Sequence, residues 1–80
     1  MNITILFFGI TTDLVGKNSI PYSINKNTSI KDLKEVLFAD FSSLKNLHQF
    51  AIAVNEEYAS NDLIINDGDV VAIIPPVSGG

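Results

Sequence analysis

The sequence predicts an α+β fold: a mixed sheet with one main helix packed on one face. Three observations carry that prediction. Residues 29–41 place apolar side chains at helical spacing behind a capping signal. Residues 3–8 and 70–74 are runs rich in β-branched and aromatic side chains, bounded by turn residues, as strands covered on both faces are. The elements follow in the order strand, strand, helix, strand, strand within 80 residues, the size of one small domain.

Residues 3–8, Ile-Thr-Ile-Leu-Phe-Phe, end at Gly9. Their first half alternates and their second is apolar throughout, which suits a central strand. Residues 9–19 form a connection, with one helical turn around residues 12–15 before Gly16. Residues 20–24 make a short second strand. Pro21 within it has no N–H to give to a ladder, which places the strand at a sheet edge.

Ser29 reads as a helix N-cap, and Asp32, three positions on, completes a capping box. Ile30, Leu33, Val36, Leu37, Phe41 and Leu44 then form the apolar stripe. Lys31, Asp32, Lys34 and Glu35 point away, and Phe38 lies at the margin. Residues 44–49 lead to a third strand at 50–54, closed by Asn55-Glu56-Glu57. Tyr58 falls in a short returning strand, and Ser60-Asn61-Asp62 opens a turn leading into Leu63-Ile64-Ile65. Asn66-Asp67-Gly68-Asp69 is a strong turn signal, residues 70–74 are the last strand, and Pro75 ends it. The first and last strands are the most apolar, so they are expected to pair at the centre of the sheet. A hairpin, one crossing helix and a final central strand make a β-grasp. Residues 1–74 are then the domain and residues 75–80 an extended, flexible tail. Surplus apolar residues of the two central strands, such as Phe7 and Ile74, are expected on the face away from the helix or at its margin.

Composition narrows the function. Nine acidic residues face five lysines and no arginine, a formal charge of −4. That balance lacks the basic stripe nucleic-acid binding needs. No apolar run approaches the ~20 residues of a membrane span. The start, Met1-Asn2-Ile3-Thr4, lacks the features of a signal peptide, so a cytoplasmic location is expected. There is no cysteine for disulfides or thiolate metal sites. With 46% apolar residues and a mean hydropathy of +0.28, the chain is rich in apolar groups for its size. A domain this small buries only about 60–65% of its surface, so a partner-covered face is expected.

No residue set looks catalytic. There is no phosphate-cradling Gly-rich loop, metal-ligand cluster or nucleophile–base pair. His48, the single histidine, reads as a surface residue in a connection. Asp67 and Asp69 flank a glycine and read as turn chemistry rather than a cation site. Glu56-Glu57 reads as a solvated turn that could meet a basic partner surface. The most informative string is Pro75-Pro76-Val77-Ser78-Gly79-Gly80. Two prolines favour an extended path, and two glycines make the thinnest backbone available. The tail could reach roughly 20 Å at ~3.3–3.6 Å per residue and pass through a channel that any side chain would block. A frayed terminus is the bland alternative.

Leu6-Phe7-Phe8-Gly9, Asp13-Leu14-Val15-Gly16, Ala53-Val54-Asn55, Asp67-Gly68-Asp69-Val70-Val71 and the terminal string resemble the small, sulfur-carrying subunits of molybdopterin synthase. These belong to the ubiquitin-like β-grasp sulfur carriers. The resemblance runs nearly end to end. It implies that a ubiquitin-activating-type enzyme uses ATP to adenylate the carboxylate of Gly80, and that a sulfur donor converts it to a thiocarboxylate. The large catalytic subunit of molybdopterin synthase would then take in Pro75, Pro76, Val77, Ser78 and Gly79. Sulfur from Gly80 would build the dithiolene that holds molybdenum. By the same resemblance the chain is a non-catalytic subunit with no bound cofactor, and activity resides in a heterotetrameric complex. Phe7, Tyr58 and Ile74 match positions of partner-facing apolar residues, with core packing as the alternative for each. Two departures stand out: Thr12 where many members carry arginine, and Ile74 where an aromatic is common. The rival readings are a thiamine-type sulfur carrier, a ubiquitin-like protein modifier, and a binding module whose tail is incidental.

Overall fold

The computed structural model describes residues 1–46 and 50–75. In chain order they form β1 (Asn2–Phe7), α1 (Ile10–Val15), β2 (Ser19–Ser23), α2 (Ile30–Asp40), a 3-10 turn (Ser42–Asn46), β3 (Ala51–Val54), β4 (Glu57–Tyr58) and β5 (Val70–Ile74). The five strands make one sheet in the order β2-β1-β5-β3-β4.

As the apolar content predicts, β1 and β5 lie side by side at the centre, and they run parallel from Thr4↔Val70 to Phe7↔Ile73. The flanking pairs, β1 with β2 and β3 with β5, are antiparallel. Pro21 lies on the edge strand opposite Thr4. Thr4 sends its N–H the other way, to the Asp69 carbonyl at 3.1 Å, so the N–H that proline lacks is not missed there.

Helix α2 begins where the capping box says it should. The Ser29 hydroxyl accepts from the Asp32 N–H at 3.1 Å, and the Asp32 carboxylate accepts from the Ser29 N–H at 3.5 Å. Ile30, Leu33 and Leu37 are fully buried against Ile3, Ile5 and Phe7 of β1 and Val71 and Ile73 of β5, with Leu44 of the 3-10 turn closing one end. Each such side chain contributes about 1.5–3 kcal/mol by leaving water. Val36 departs from the expected stripe and is 43% exposed. One residue before Leu37, it is rotated by about 100° from the seam that Leu33 and Leu37 define. Phe38 sits at the margin as predicted, edge-on to Phe50 with ring centroids 5.6 Å apart.

The placement of Phe7 is a correction. It is a core residue, 3% exposed, with its ring edge-on to Phe41 at 6.1 Å. Side chains alternate along a strand, and Ile3 and Ile5 face the helix, so Phe7 must face it too. Leu6 and the 48%-exposed Phe8 take the opposite face instead. No helix among the described residues is long and apolar enough to cross a membrane.

Candidate functional site

The sheet face away from α2 is uncovered, and its shape follows from the strand register. One row of side chains crosses four strands: Leu6 beside Ala72, Ala72 beside Ala53, Ala53 beside Tyr58. The two alanines make a low floor between larger walls. With Phe8, Val70 and Ile74 they line a hollow of ≈ 600 Å³. Tyr58 stands at the β4 edge, 77% exposed, and Ile74 is half-buried at the end of β5. Of the three residues expected to face a partner, this surface therefore presents Tyr58 and Ile74 and not Phe7. Leu6, Phe8 and Val70, which sequence reasoning missed, stand with them. Strict alternation from Ile3 and Ile5 was the signal that could have found Leu6 and Phe8.

At one end of this face Pro75 continues from Ile74 and packs on the corner between β1 and α1. That corner is tightly held. Thr11 is fully buried; its hydroxyl donates to the Phe8 carbonyl at 2.5 Å and accepts from the Phe8 N–H at 2.9 Å. The Thr12 hydroxyl donates to the Phe7 carbonyl at 3.0 Å, which gives this side chain a structural task. Gly9 has φ +56, and a Cβ there would come within 3.0 Å of the Pro75 ring. Only a glycine lets the proline sit this close without displacement. Pro76, Val77, Ser78, Gly79 and Gly80 lie outside the described residues, as does His48.

At the other end the Asp67-Gly68-Asp69 turn meets the β3–β4 hairpin. The Asp67 carboxylate accepts from the Asn2 N–H at 2.7 Å. Asp69 accepts from the Asn66 N–H at 2.8 Å and from the Asn55 side-chain amide at 3.0 Å. Both carboxylates are occupied, Asp69 within the turn, as its place beside a glycine predicts, and Asp67 on the first residue of β1. Among the described residues no group of three or more His, Cys, Asp or Glu is placed to hold a metal. Asn55 is the clasp of this end: its side-chain oxygen also accepts from the Val70 N–H at 3.0 Å. Asn55 and Glu56 have φ +51 and +74 and form the two-residue link between paired Val54 and Glu57. Away from the open face, the Tyr22 hydroxyl donates to Asp40. Burial, and then the hydrogen bond and charge of Asp40, push the Tyr22 phenol up to about 12.

The model of the ThiS family matches residues 5–80, spanning the open face, the Asp-Gly-Asp turn and the Gly-Gly string. The chain belongs to the ThiS family. Within it, the chain is similar to the molybdopterin synthase sulfur carrier subunit of Dictyostelium discoideum, with 41% identity over 95% of this chain and 93% of the relative. Its backbone follows a chain of the complex of subunits 1 and 2 of the molybdopterin-converting factor from Helicobacter pylori, with a TM-score of 0.71, 28% identity and full coverage of both chains. The small archaeal modifier protein 1 of Haloferax volcanii shares the fold, with a TM-score of 0.84 at 16% identity over 95% of this ThiS-family chain and 98% of the modifier.

Proposed function

We propose that this ThiS-family chain is the sulfur-carrier subunit of a molybdopterin synthase, and that it delivers sulfur as a thiocarboxylate on Gly80. The observation that carries the reading is the 41% identity, over nearly the whole chain, to a molybdopterin synthase sulfur carrier subunit. The open face supports it, because an apolar surface rooted beside the tail suits a large subunit that must hold the body while it takes in the tail. The string from Pro75 to Gly79 carries no charged side chain. A groove would hold it through backbone hydrogen bonds, by the logic of strand addition.

The chemistry divides between the chain and its partners. A carboxylate is a poor electrophile, so an activating enzyme uses ATP to make the Gly80 acyl-adenylate, with pyrophosphate leaving. The outer sulfur of a persulfide donor displaces AMP to give an acyl disulfide. A thiol then attacks the donor-side sulfur, so that the S–S bond breaks and a disulfide forms on the donor. The thiocarboxylate is released as the nucleophile used in the large subunit's active site. This chain supplies the reacting end of its own backbone and no side-chain acid or base.

The test is co-expression with an adenylating enzyme and a sulfur donor, followed by intact-mass measurement. The expected result is the mass gain of one oxygen replaced by sulfur, localised to Gly80. Addition of the large subunit and the pterin precursor should then return the mass to that of the carboxylate as dithiolene forms. An unchanged mass beside a working control carrier overturns the reading.

A further inference from the structure

The open face carries one feature that packing does not require. Glu56 is the single charged side chain among those that line the hollow; the others are apolar apart from Asn55 and the Tyr58 hydroxyl. It is also held in a left-handed backbone conformation, φ +74, at the second position of a two-residue hairpin link. Glycine is the residue that such a position favours, and a glutamate there is strained. The backbone strain has a cost in the free chain, which a contact of the exposed carboxylate with a partner would offset.

From this we infer that Glu56 is a specificity-determining residue of docking, and that the large subunit places an arginine or lysine against it. The inference rests on the proposal that the open face is the docking surface. A partner that covers the apolar floor also strips water from the rim carboxylate. A buried carboxylate without a counter-charge is strongly unfavourable, so the covering surface must bring a cation to that point. A guanidinium suits it best, because its planar fork can hold both carboxylate oxygens. The chain's net charge of −4 acts in the same direction and draws a basic surface in.

The position gives the contact its purpose. Asn55, next to Glu56, bonds Val70 at the start of β5, whereas the tail leaves after Ile74 at the other end. Five residues of strand separate the two, about 16 Å at ~3.3 Å per residue. Docking is thus fixed at two points, an acid at one end and the tail root at the other, over an apolar floor that alone would let the body slide. The Glu56 contact sets the register at which the tail enters the partner.

The experiment measures the affinity of the full chain for the purified large subunit, at low and high salt, for four proteins: the unaltered chain, Glu56→Gln, Glu56→Gly and Phe8→Asp. Glu56→Gln should weaken binding about tenfold at low salt and flatten the salt dependence. Glu56→Gly should also weaken binding while raising the melting temperature of the free chain, a combination that loss of a merely structural residue does not produce. Phe8→Asp should abolish binding. If Glu56→Gln and Glu56→Gly bind like the unaltered chain while Phe8→Asp does not bind, the inference about Glu56 is overturned and the docking face stands. If Phe8→Asp binds normally, the docking-face proposal fails, and this inference with it.

Discussion

Phe7 and Phe8 are neighbours of identical chemistry that the strand pleat sends to opposite faces, so truncating each should have opposite consequences. Phe7 is 3% exposed among Ile5, Leu37, Phe41 and Ile73. Phe7→Ala should cost about 3–5 kcal/mol, the transfer loss plus the cavity left behind. An 80-residue domain has only about 4–12 kcal/mol of stability at 0.05–0.15 kcal/mol per residue. With a urea m-value near 1 kcal/mol/M, the unfolding midpoint should fall by about 3 M or more, leaving the variant close to unfolded in buffer. Phe8 is 48% exposed, and Phe8→Ala should change free-chain stability by less than about 1 kcal/mol. Its effect belongs to docking, where an aromatic anchor at an interface is worth about 2 kcal/mol, or some thirtyfold in affinity. Urea unfolding followed by circular dichroism gives the first quantity, and titration calorimetry with the large subunit gives the second. Phe7→Leu, which keeps the core filled, allows the Phe7 position to be tested for binding in a folded protein. The reasoning is refuted if Phe8→Ala moves the urea midpoint as far as Phe7→Ala does, or if Phe7→Leu weakens docking more than Phe8→Ala.

Three further outcomes follow from local geometry. Asn55→Ala loses two exposed side-chain bonds at 3.0 Å and forces alanine to φ +51, for a total near 2 kcal/mol; Asn55→Gly keeps the backbone conformation and should lose about half that. Equal losses in urea titrations would mean that the backbone conformation contributes nothing. Ser29→Ala removes the N-cap acceptor of α2 and should lower stability by about 1 kcal/mol, an effect Ser29→Asp should largely avoid. Tyr22 has a phenol pKa of about 12 in the folded chain against 10.0 for the ordinary side chain. The stability it contributes is therefore fully present below pH 10 and is lost as pH rises from 10 toward 12. Tyr22→Phe should flatten that part of the stability–pH curve, and a variant with an unchanged slope would show that burial and the Asp40 contact do not raise the phenol in solution.

Where one local signal had one physical meaning, the sequence was enough to read the structure. Ser29 with Asp32 marks the start of α2 because the box satisfies two otherwise orphaned N–H groups. Pro21 marks an edge strand because it lacks a donor. Asp67-Gly68-Asp69 marks a turn because Gly68 takes a positive φ and the Asp69 carboxylate reaches back to the Asn66 amide. The run Leu6-Phe7-Phe8 was not legible in the same way. When every residue is apolar, hydrophobicity no longer says which side chain faces the helix, and register decides it. Extending the alternation of Ile3 and Ile5 by one step would have placed Phe7 inside. Val36 failed for a related reason, since it lies close enough to the helical stripe for spacing alone to include it. The role of Asn55 needed the partners that folding brings to it, Asp69 and Val70, fourteen and fifteen residues away.

The central place of β5 also bears on how the chain comes to be folded at all. The last strand lies between the first and third, with its neighbour β1 more than sixty positions distant in sequence. Contacts of such separation form late, because a large loop must close before they stabilise anything. During synthesis the earlier segments can make their helix and hairpin but cannot close the core, which waits for the residues just before the tail. Body and tail are therefore completed in the same event. A prematurely ended chain that lacks Gly79 and Gly80 and much of β5 would present no folded surface to an activating enzyme. Translation itself would then act as a checkpoint, withholding the docking face from products that stop before β5 is complete.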